Sequence, residues 1–195
     1  MISIKKITEL AHFIAALAIR EGDHVIDATA GNGIDTIFLA EKVGHDGYVY
    51  AFDIQKEALV RTAEKIKAKQ FDERVGLIHA GHEELQKHVK FPVSVIMYNL
   101  GFLPGAESQI TTASSTTFES FKQALRLLKP GGIITMVLYS GHPEGKNEIE
   151  ILLPACENLL AREYAVIHTK LLNQANDPPE LLVIQKNLYA PGKIG

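Results

Sequence analysis

Short apolar runs alternate with amphipathic segments along most of the chain, and this alternation limits the possible folds more than any other feature. Strand-like runs that are each followed by a helical pattern predict a parallel sheet covered by helices on both faces. The predicted strands are 24–28, 48–52, 75–79, 93–98 and 133–139. The predicted helices are 34–43, 56–69, 83–88, 115–128 and 147–160, the last interrupted near Pro154, with an N-terminal helix over about 4–20.

The chain ends differently, because 164–170 and 181–187 are strand-like runs joined by a polar loop without a helix. Two such neighbouring strands must be antiparallel. A doubly wound parallel sheet that ends in an antiparallel hairpin resembles the Rossmann-like class I methyltransferase fold, an α/β fold with seven strands in the order 3-2-1-4-5-7-6. The chain has 195 residues, so we expect residues 1–195 to form a single domain of this kind.

Composition excludes several classes of protein. Hydrophobic residues make up 46% and charged residues 22%, which is typical of a globular chain. Cys156 is the one cysteine, and no run approaches the roughly 20 apolar residues of a membrane span, so we expect a cytoplasmic location and no membrane contact. No Cys/His cluster has zinc spacing, so no metal is expected. The net charge of −3 argues against non-specific nucleic-acid binding, and the basic stretch 56–74 is interleaved with acids, as on a solvated helix face.

The strongest local motif is the glycine-rich turn DATAGNG, residues 27–33, directly after the first strand. Glycines let a ligand approach the backbone, and the next helix offers free N–H groups. Dinucleotide-binding proteins share such turns, but they need a third glycine where Thr36 stands, and Asp35 would repel a pyrophosphate. S-adenosylmethionine, with its ammonium and sulfonium, is favoured. The candidate binding residues here are Asp27, Thr29, Gly31, Asn32, Gly33, Asp35 and Thr36.

The next two strands also end in candidate cofactor residues. Asp53 closes the second strand where an acid would bind ribose hydroxyls, and Ile54 and Gln55 follow where an adenine would lie. Alternatively, Asp53 is the N-cap of the helix that begins near residue 56. Gly81 and His82 follow the third strand, where they either contact the adenine edge or merely adjoin a helix cap.

The fourth strand ends in NLGFLPG, residues 99–105, where many methyltransferases of exocyclic amines have Asn-Pro-Pro-aromatic. There, the carboxamide of Asn99 would orient an amine toward a methyl donor. Leu100 and Gly101 replace the two prolines, and the alternative is a loop in which Asn99 caps the backbone. The segments 139–145 and 173–179 follow other strands at the same carboxyl edge, where open parallel sheets bind ligands.

The segments VIDATAGNGIDT, YAFDIQ, NLGFLPG, ITTASST, YSGHPEGK and NQANDPP, in this order and spacing, resemble a bacterial family of tRNA 5-(aminomethyl)-2-thiouridine methyltransferases, earlier described as rRNA methylases. The resemblance implies transfer of a methyl group from S-adenosylmethionine to the aminomethyl amine of uridine 34 in a tRNA anticodon stem-loop. The product is 5-methylaminomethyl-2-thiouridine. Asn99 would orient the amine, and Tyr139, His142 and Asp177 are candidates, by position, to contact the base or accept the proton.

Three other hypotheses stay open at this point. The same cofactor could serve an rRNA base or a small-molecule amine. A cofactor-binding sensor without transferase activity is disfavoured by Asn99, and an NAD-dependent oxidoreductase is disfavoured by Thr36 and the terminal hairpin. Because a small acidic protein that holds a tRNA stem-loop gains surface by dimerising, a homodimer is favoured over a monomer.

Overall fold

The computed structural model describes residue 3 and residues 5–101, 112–141 and 143–188. Within these residues, seven strands form one sheet in the order β3-β2-β1-β4-β5-β7-β6. The strands are β1 His24–Asp27, β2 Tyr48–Asp53, β3 Val75–His79, β4 Val93–Leu100, β5 Leu128–Leu138, β6 Tyr164–Thr169 and β7 Glu180–Lys186. Strands β1 to β5 pair in parallel, whereas β7 is antiparallel to both β5 and β6. The predicted fold is therefore confirmed.

The helices cover both faces of this sheet. They are α1 Ile7–Ala16, α2 Ile34–Val43, α3 Lys56–Lys69, α4 Leu85–His88, α5 Ser114–Leu127 and α6 Pro143–Glu157, with a 3₁₀ turn His82–Glu84 before α4. Successive side chains of a strand point to opposite faces. In β4, Val95 and Met97 pack toward α1, α2 and α3, while Ile96 and Tyr98 pack toward α4, α5 and α6. This two-sided burial explains why β4 is a continuous apolar run.

Three predicted boundaries are wrong. Helix α1 stops at Ala16 rather than near residue 20, where the N–H groups of Leu17 and Ala18 bond to carbonyls three residues back instead of four. Helix α6 starts at Pro143 and continues through Pro154 to Glu157. The carbonyl of Pro154 still accepts the backbone N–H of Asn158 at 3.1 Å, so the missing proline N–H does not end the helix. Strand β5 starts at Leu128, which pairs with Val93 across a register shift.

None of the described helices is both long enough and apolar enough to cross a membrane.

Candidate cofactor and active site

A cavity of about 430 Å³ opens at the carboxyl edge of the sheet, beside the neighbouring strands β1 and β4. The strands that follow them in the chain lie on opposite sides of this pair, β2 next to β1 and β5 next to β4. Its volume falls in the range of roughly 300–1,000 Å³ that is usual for small-molecule sites. The predicted residues that line it are Thr29, Gly31, Asn32, Asp35, Asp53, Ile54, Gln55, Gly81, His82, Asn99 and Tyr139. The topology therefore brings the ends of five strands to one cavity.

The glycine-rich turn forms the floor between β1 and α2. Gly31 and Gly33 have φ of +52° and +74°, a region that residues with a Cβ rarely adopt. Helix α3 holds this turn from outside, because the Thr62 hydroxyl donates to the Gly31 carbonyl at 3.1 Å and Lys65 Nζ donates to the Asn32 carbonyl at 2.5 Å. The backbone beside the cavity is thus fixed by side chains that do not line it.

The structure places Asp27, Gly33 and Thr36 behind the described cavity wall rather than in it. Asp27 is fully buried and accepts a hydrogen bond from the Thr36 hydroxyl at 2.5 Å and one from the Thr29 N–H at 3.2 Å. Burial, and then the negative charge of Asp35, raise the pKa of Asp27. These contacts join β1 to α2 beneath the turn.

Gly33→Ala should destabilise the protein more than Gly22→Ala does. Gly22 also has a positive φ, +83°, but a Cβ there would meet nothing within 4 Å, whereas a Cβ on Gly33 would lie 2.9 Å from the Thr62 hydroxyl. We expect a loss of about 1 kcal/mol for Gly22→Ala from the backbone alone and of roughly 2–4 kcal/mol for Gly33→Ala, because overpacking adds to it. Urea denaturation measures both, and equal losses would show that Thr62 does not restrict the turn.

Asp53 connects the end of β2 to the turn. One of its carboxylate oxygens accepts the Gly31 N–H and the other accepts the Gln55 N–H, each at 2.8 Å. The N-cap of α3 is Gln55, so the interpretation of Asp53 as that cap is wrong. Burial raises the pKa of Asp53. Each carboxylate oxygen can accept a further hydrogen bond, which suits a ligand with a ribose diol.

His82 follows β3 in the opposite wall. Its ring is 7% exposed and packs edge-on against Tyr98, with 5.9 Å between ring centroids. The Nδ1 atom is buried and has no hydrogen-bond partner among the described residues. Burial lowers the pKa of His82 to about 4, so the imidazole is neutral at physiological pH.

His82 should make the protein less stable in acid. Its pKa falls from 6.5 to about 4 on folding, so the unfolded chain binds the proton first, and stability is lost as the pH falls from about 6.5 toward 4. The shift corresponds to roughly 3 kcal/mol. We expect His82→Gln to remove about this much of the acid sensitivity in urea denaturation, with His88→Gln, at an exposed position, as the matched comparison. An unchanged pH dependence in His82→Gln would contradict the shift.

Asn99 and Tyr139 line the cavity at the ends of β4 and β5. The Asn99 N–H donates to the Thr29 hydroxyl at 2.8 Å, which joins β4 to the turn after β1. The Asn99 carboxamide hydrogen-bonds to none of the described residues, so it does not cap their backbone. Burial, and then the charge of Asp35, raise the pKa of Tyr139, so its phenol stays protonated at neutral pH.

One of the two other candidates for catalysis, Asp177, does not line this cavity. Asp177 is exposed in the loop between β6 and β7, with φ of +46°, and is absent from the described lining. His142 and residues 102–105 of the NLGFLPG motif lie outside the described residues.

The structure adds lining residues that sequence reasoning missed. Thr112, Ala113 and Thr116 reach the cavity from the start of α5, and Glu83 reaches it beside His82. The first three belong to ITTASST, which contributed to the family resemblance without a role. His12 of α1 lies directly behind Asp35, and no local pattern could have shown this.

The charges of the cavity decide between cofactors. Three carboxylates line it, those of Asp35, Asp53 and Glu83, and no lysine or arginine is among the described lining residues. The undescribed segment 102–111 also contains no lysine or arginine. Such a wall repels a pyrophosphate and attracts a sulfonium and an ammonium.

In the described part of the chain, no group of three or more His, Cys, Asp or Glu is arranged to hold a metal.

The sheet order and this cavity define a class I methyltransferase, a class whose methyl donor is S-adenosylmethionine. The model of the family described as "Putative rRNA methylase" matches residues 49–185, and the chain belongs to this family.

Similar proteins agree with this assignment. The chain is 39% identical over 184 residues to the chloroplastic tRNA (mnm5s2U34)-methyltransferase of Arabidopsis thaliana, with 89% of this chain and 67% of the relative covered. The crystal structure of a "putative rRNA-methylase" from Clostridium thermocellum superposes with a TM-score of 0.89 at 40% identity and covers 92% of this chain and 96% of that one. A "putative methyltransferase" from Streptococcus mutans, solved in complex with SAH, has a TM-score of 0.83 at 35% identity and covers 92% and 97%.

Proposed function

We propose that the protein methylates the aminomethyl amine of 5-aminomethyl-2-thiouridine at wobble position 34 of tRNA, giving 5-methylaminomethyl-2-thiouridine. The observation that carries this proposal is the Asn99 carboxamide, which lines the cavity without a hydrogen-bond partner among the described residues. An amide oxygen that no described residue engages suits an amine substrate at this position. The name of the Arabidopsis relative, which specifies this class of tRNA nucleoside, supports the choice of substrate.

Residues at the ends of different strands would contact different parts of the ligands. His82, Ile54 and Asp53, at the ends of β3 and β2, would hold the adenosine part of the cofactor, and Asp35 would face its amino-acid part. When bound, S-adenosylmethionine supplies an electrophilic methyl group on its sulfonium. Asn99, which lines the cavity at the end of the central strand β4, would then lie on the side where a nucleophile enters.

Asn99 would act on the amine nitrogen. Its Oδ1 would accept one N–H of the neutral amine and so aim the lone pair of the nitrogen, which is the alignment that methyl transfer requires. The nitrogen forms its new bond to the methyl carbon as the carbon–sulfur bond breaks, and one proton leaves the nitrogen. An alkylamine is largely protonated at neutral pH, so the site must also accept a proton before the attack.

Tyr139 suits hydrogen bonding better than proton acceptance. Because its pKa is raised, it presents a phenol rather than a phenolate, and it would bind the uracil ring or its substituent through the hydroxyl. Asp177, in the loop that leaves the same edge of the sheet, and His142 stay the candidates for proton acceptance.

Parallel measurements of methyl incorporation test the substrate. Purified protein with labelled S-adenosylmethionine would be given one of three acceptors: tRNA that carries 5-aminomethyl-2-thiouridine without the methyl group, ribosomal subunits, or a small primary amine. We expect incorporation into the tRNA alone. Incorporation into ribosomal subunits would instead favour the rRNA substrate that the family description states. Binding of S-adenosylmethionine without transfer to any acceptor would favour the sensor hypothesis.

A further inference from the structure

A partly buried pair of side chains joins the N-terminal helix to the wall of the cofactor cavity. His12 of α1 lies 2.6 Å from Asp35 of α2, measured from Nε2 to Oδ1. Since an ionised carboxylate only accepts hydrogen bonds, His12 Nε2–H is the donor. Both side chains are largely buried, with 21% and 10% of their surface exposed, so this is not an ordinary surface ion pair.

The ring of His12 is held in place by a second contact. It stacks in parallel on Phe38, with 4.0 Å between the ring centroids and an angle of 0° between the planes. Asp35 and Phe38 are three residues apart on α2 and therefore share one face of the helix. His12 covers both, so its orientation toward the carboxylate is restricted from two sides.

Asp35 needs such a partner because of its surroundings. It is 8% exposed, and its negative charge raises the pKa of two neighbours, Asp27 and Tyr139. A buried carboxylate without a donor tends to become neutral or to turn toward water. Among the described residues, His12 is the one side chain that hydrogen-bonds to Asp35. Helix α1, which carries it, lies outside the residues matched by the family model.

The position of Asp35 identifies the part of the ligand that it meets. The strand order places β3, β2, β1 and β4 in sequence along the edge, so the cavity runs from His82 past Asp53 to Asn99. If Asp53 holds the ribose and His82 adjoins the adenine, the amino-acid end of the ligand must extend toward α2. Asp35 lines the cavity there.

We propose that His12 is a positioning residue that holds the Asp35 carboxylate aimed into the cavity as the counter-ion of the ligand's ammonium group. The inference depends on the cofactor site and not on the identity of the RNA substrate. It makes α1 a functional part of the site rather than a packing element alone.

Calorimetry with two probes tests this role without any measurement of activity. S-adenosylhomocysteine carries the ammonium, whereas 5′-methylthioadenosine has the same adenosine and sulfur but lacks the amino-acid end. We expect His12→Leu to weaken binding of S-adenosylhomocysteine about tenfold or more and to leave binding of methylthioadenosine unchanged. His12→Gln, whose amide can donate in place of the imidazole, should restore most of the affinity. His45→Leu, which removes a histidine from an exposed His–Asp pair, should change neither.

A structural role of α1 alone would give a different result. In that case His12→Leu would weaken the binding of both probes equally, or of neither, and His12→Gln would not selectively restore the binding of S-adenosylhomocysteine. Either outcome overturns the proposal. Asp35→Asn provides an arm that does not depend on whether His12→Leu folds. It should cause the same selective loss, and the double variant Asp35→Asn/His12→Leu should bind S-adenosylhomocysteine no more weakly than Asp35→Asn alone. Unchanged binding of S-adenosylhomocysteine to Asp35→Asn would also overturn the proposal.

Discussion

Asn99→Ala is expected to lower kcat for methylation of tRNA by about 100-fold or more, while the affinity for S-adenosylhomocysteine stays within about twofold. The substitution removes the carboxamide that lines the cavity and leaves the backbone N–H of residue 99 bonded to Thr29. The end of β4 should therefore keep its place. The loss should appear in the transfer step, because only the orientation of the amine depends on the carboxamide.

Asn158→Ala is the matched control for this substitution. The side chain of Asn158 donates to the carbonyl of Pro154 at the end of α6, on the exposed surface. Its removal should leave kcat unchanged. Single-turnover kinetics with saturating cofactor separate transfer from binding. Wild-type turnover in Asn99→Ala would show that Asn99 does not orient the amine. A loss of cofactor affinity as large as the loss of kcat would show instead that Asn99 binds the cofactor.

Asp53→Ala is expected to weaken S-adenosylhomocysteine binding by about 100-fold or more. Two hydrogen bonds from ribose hydroxyls to a carboxylate contribute about 1.5 kcal/mol or more each, and together they correspond to about 100-fold in affinity. The substitution also frees the Gly31 N–H, which Asp53 now accepts at 2.8 Å, so the floor of the cavity should loosen. Both effects act in the same direction.

Two comparisons separate these effects. Asp46→Ala removes an exposed carboxylate that does not line the cavity and should not alter binding. Asp53→Asn keeps the shape of the side chain and one acceptor oxygen, so its loss should be intermediate. Titration calorimetry measures all three variants. If Asp53→Ala bound S-adenosylhomocysteine within about threefold of the wild type, the acid at the end of β2 would not be a ribose ligand.

The sequence predicts the fold well because local patterns and topology agree. The apolar runs that became β1 and β4 are buried on both faces, and such runs can be detected without tertiary information. The edge of the cavity is equally predictable, since residues that follow parallel strands must gather at one side of the sheet. This is why Asp53 and Gly31, 22 residues apart, were placed in one site and share a hydrogen bond.

Other features depend on contacts that leave no local signal. His12 and Asp35 are 23 residues apart on two helices, and only the packing of α1 against the sheet and α2 brings them together. The segment 128–132 contains Pro130 and two glycines and is typical of a turn, yet β5 already begins there because Leu128 pairs with Val93. Asp27 and Thr36 have the pattern of ligand contacts, but burial turns them toward each other.

The proposed substrate is tested most directly by the nucleoside that the protein changes. The tRNA from a strain that lacks this gene would be incubated with labelled S-adenosylmethionine and the purified protein, then digested for nucleoside mass analysis. We predict that 5-aminomethyl-2-thiouridine is consumed and that a nucleoside heavier by one methyl group, 5-methylaminomethyl-2-thiouridine, takes its place. No methyl group on that nucleoside, from protein that demonstrably binds S-adenosylhomocysteine, would contradict the wobble-uridine assignment.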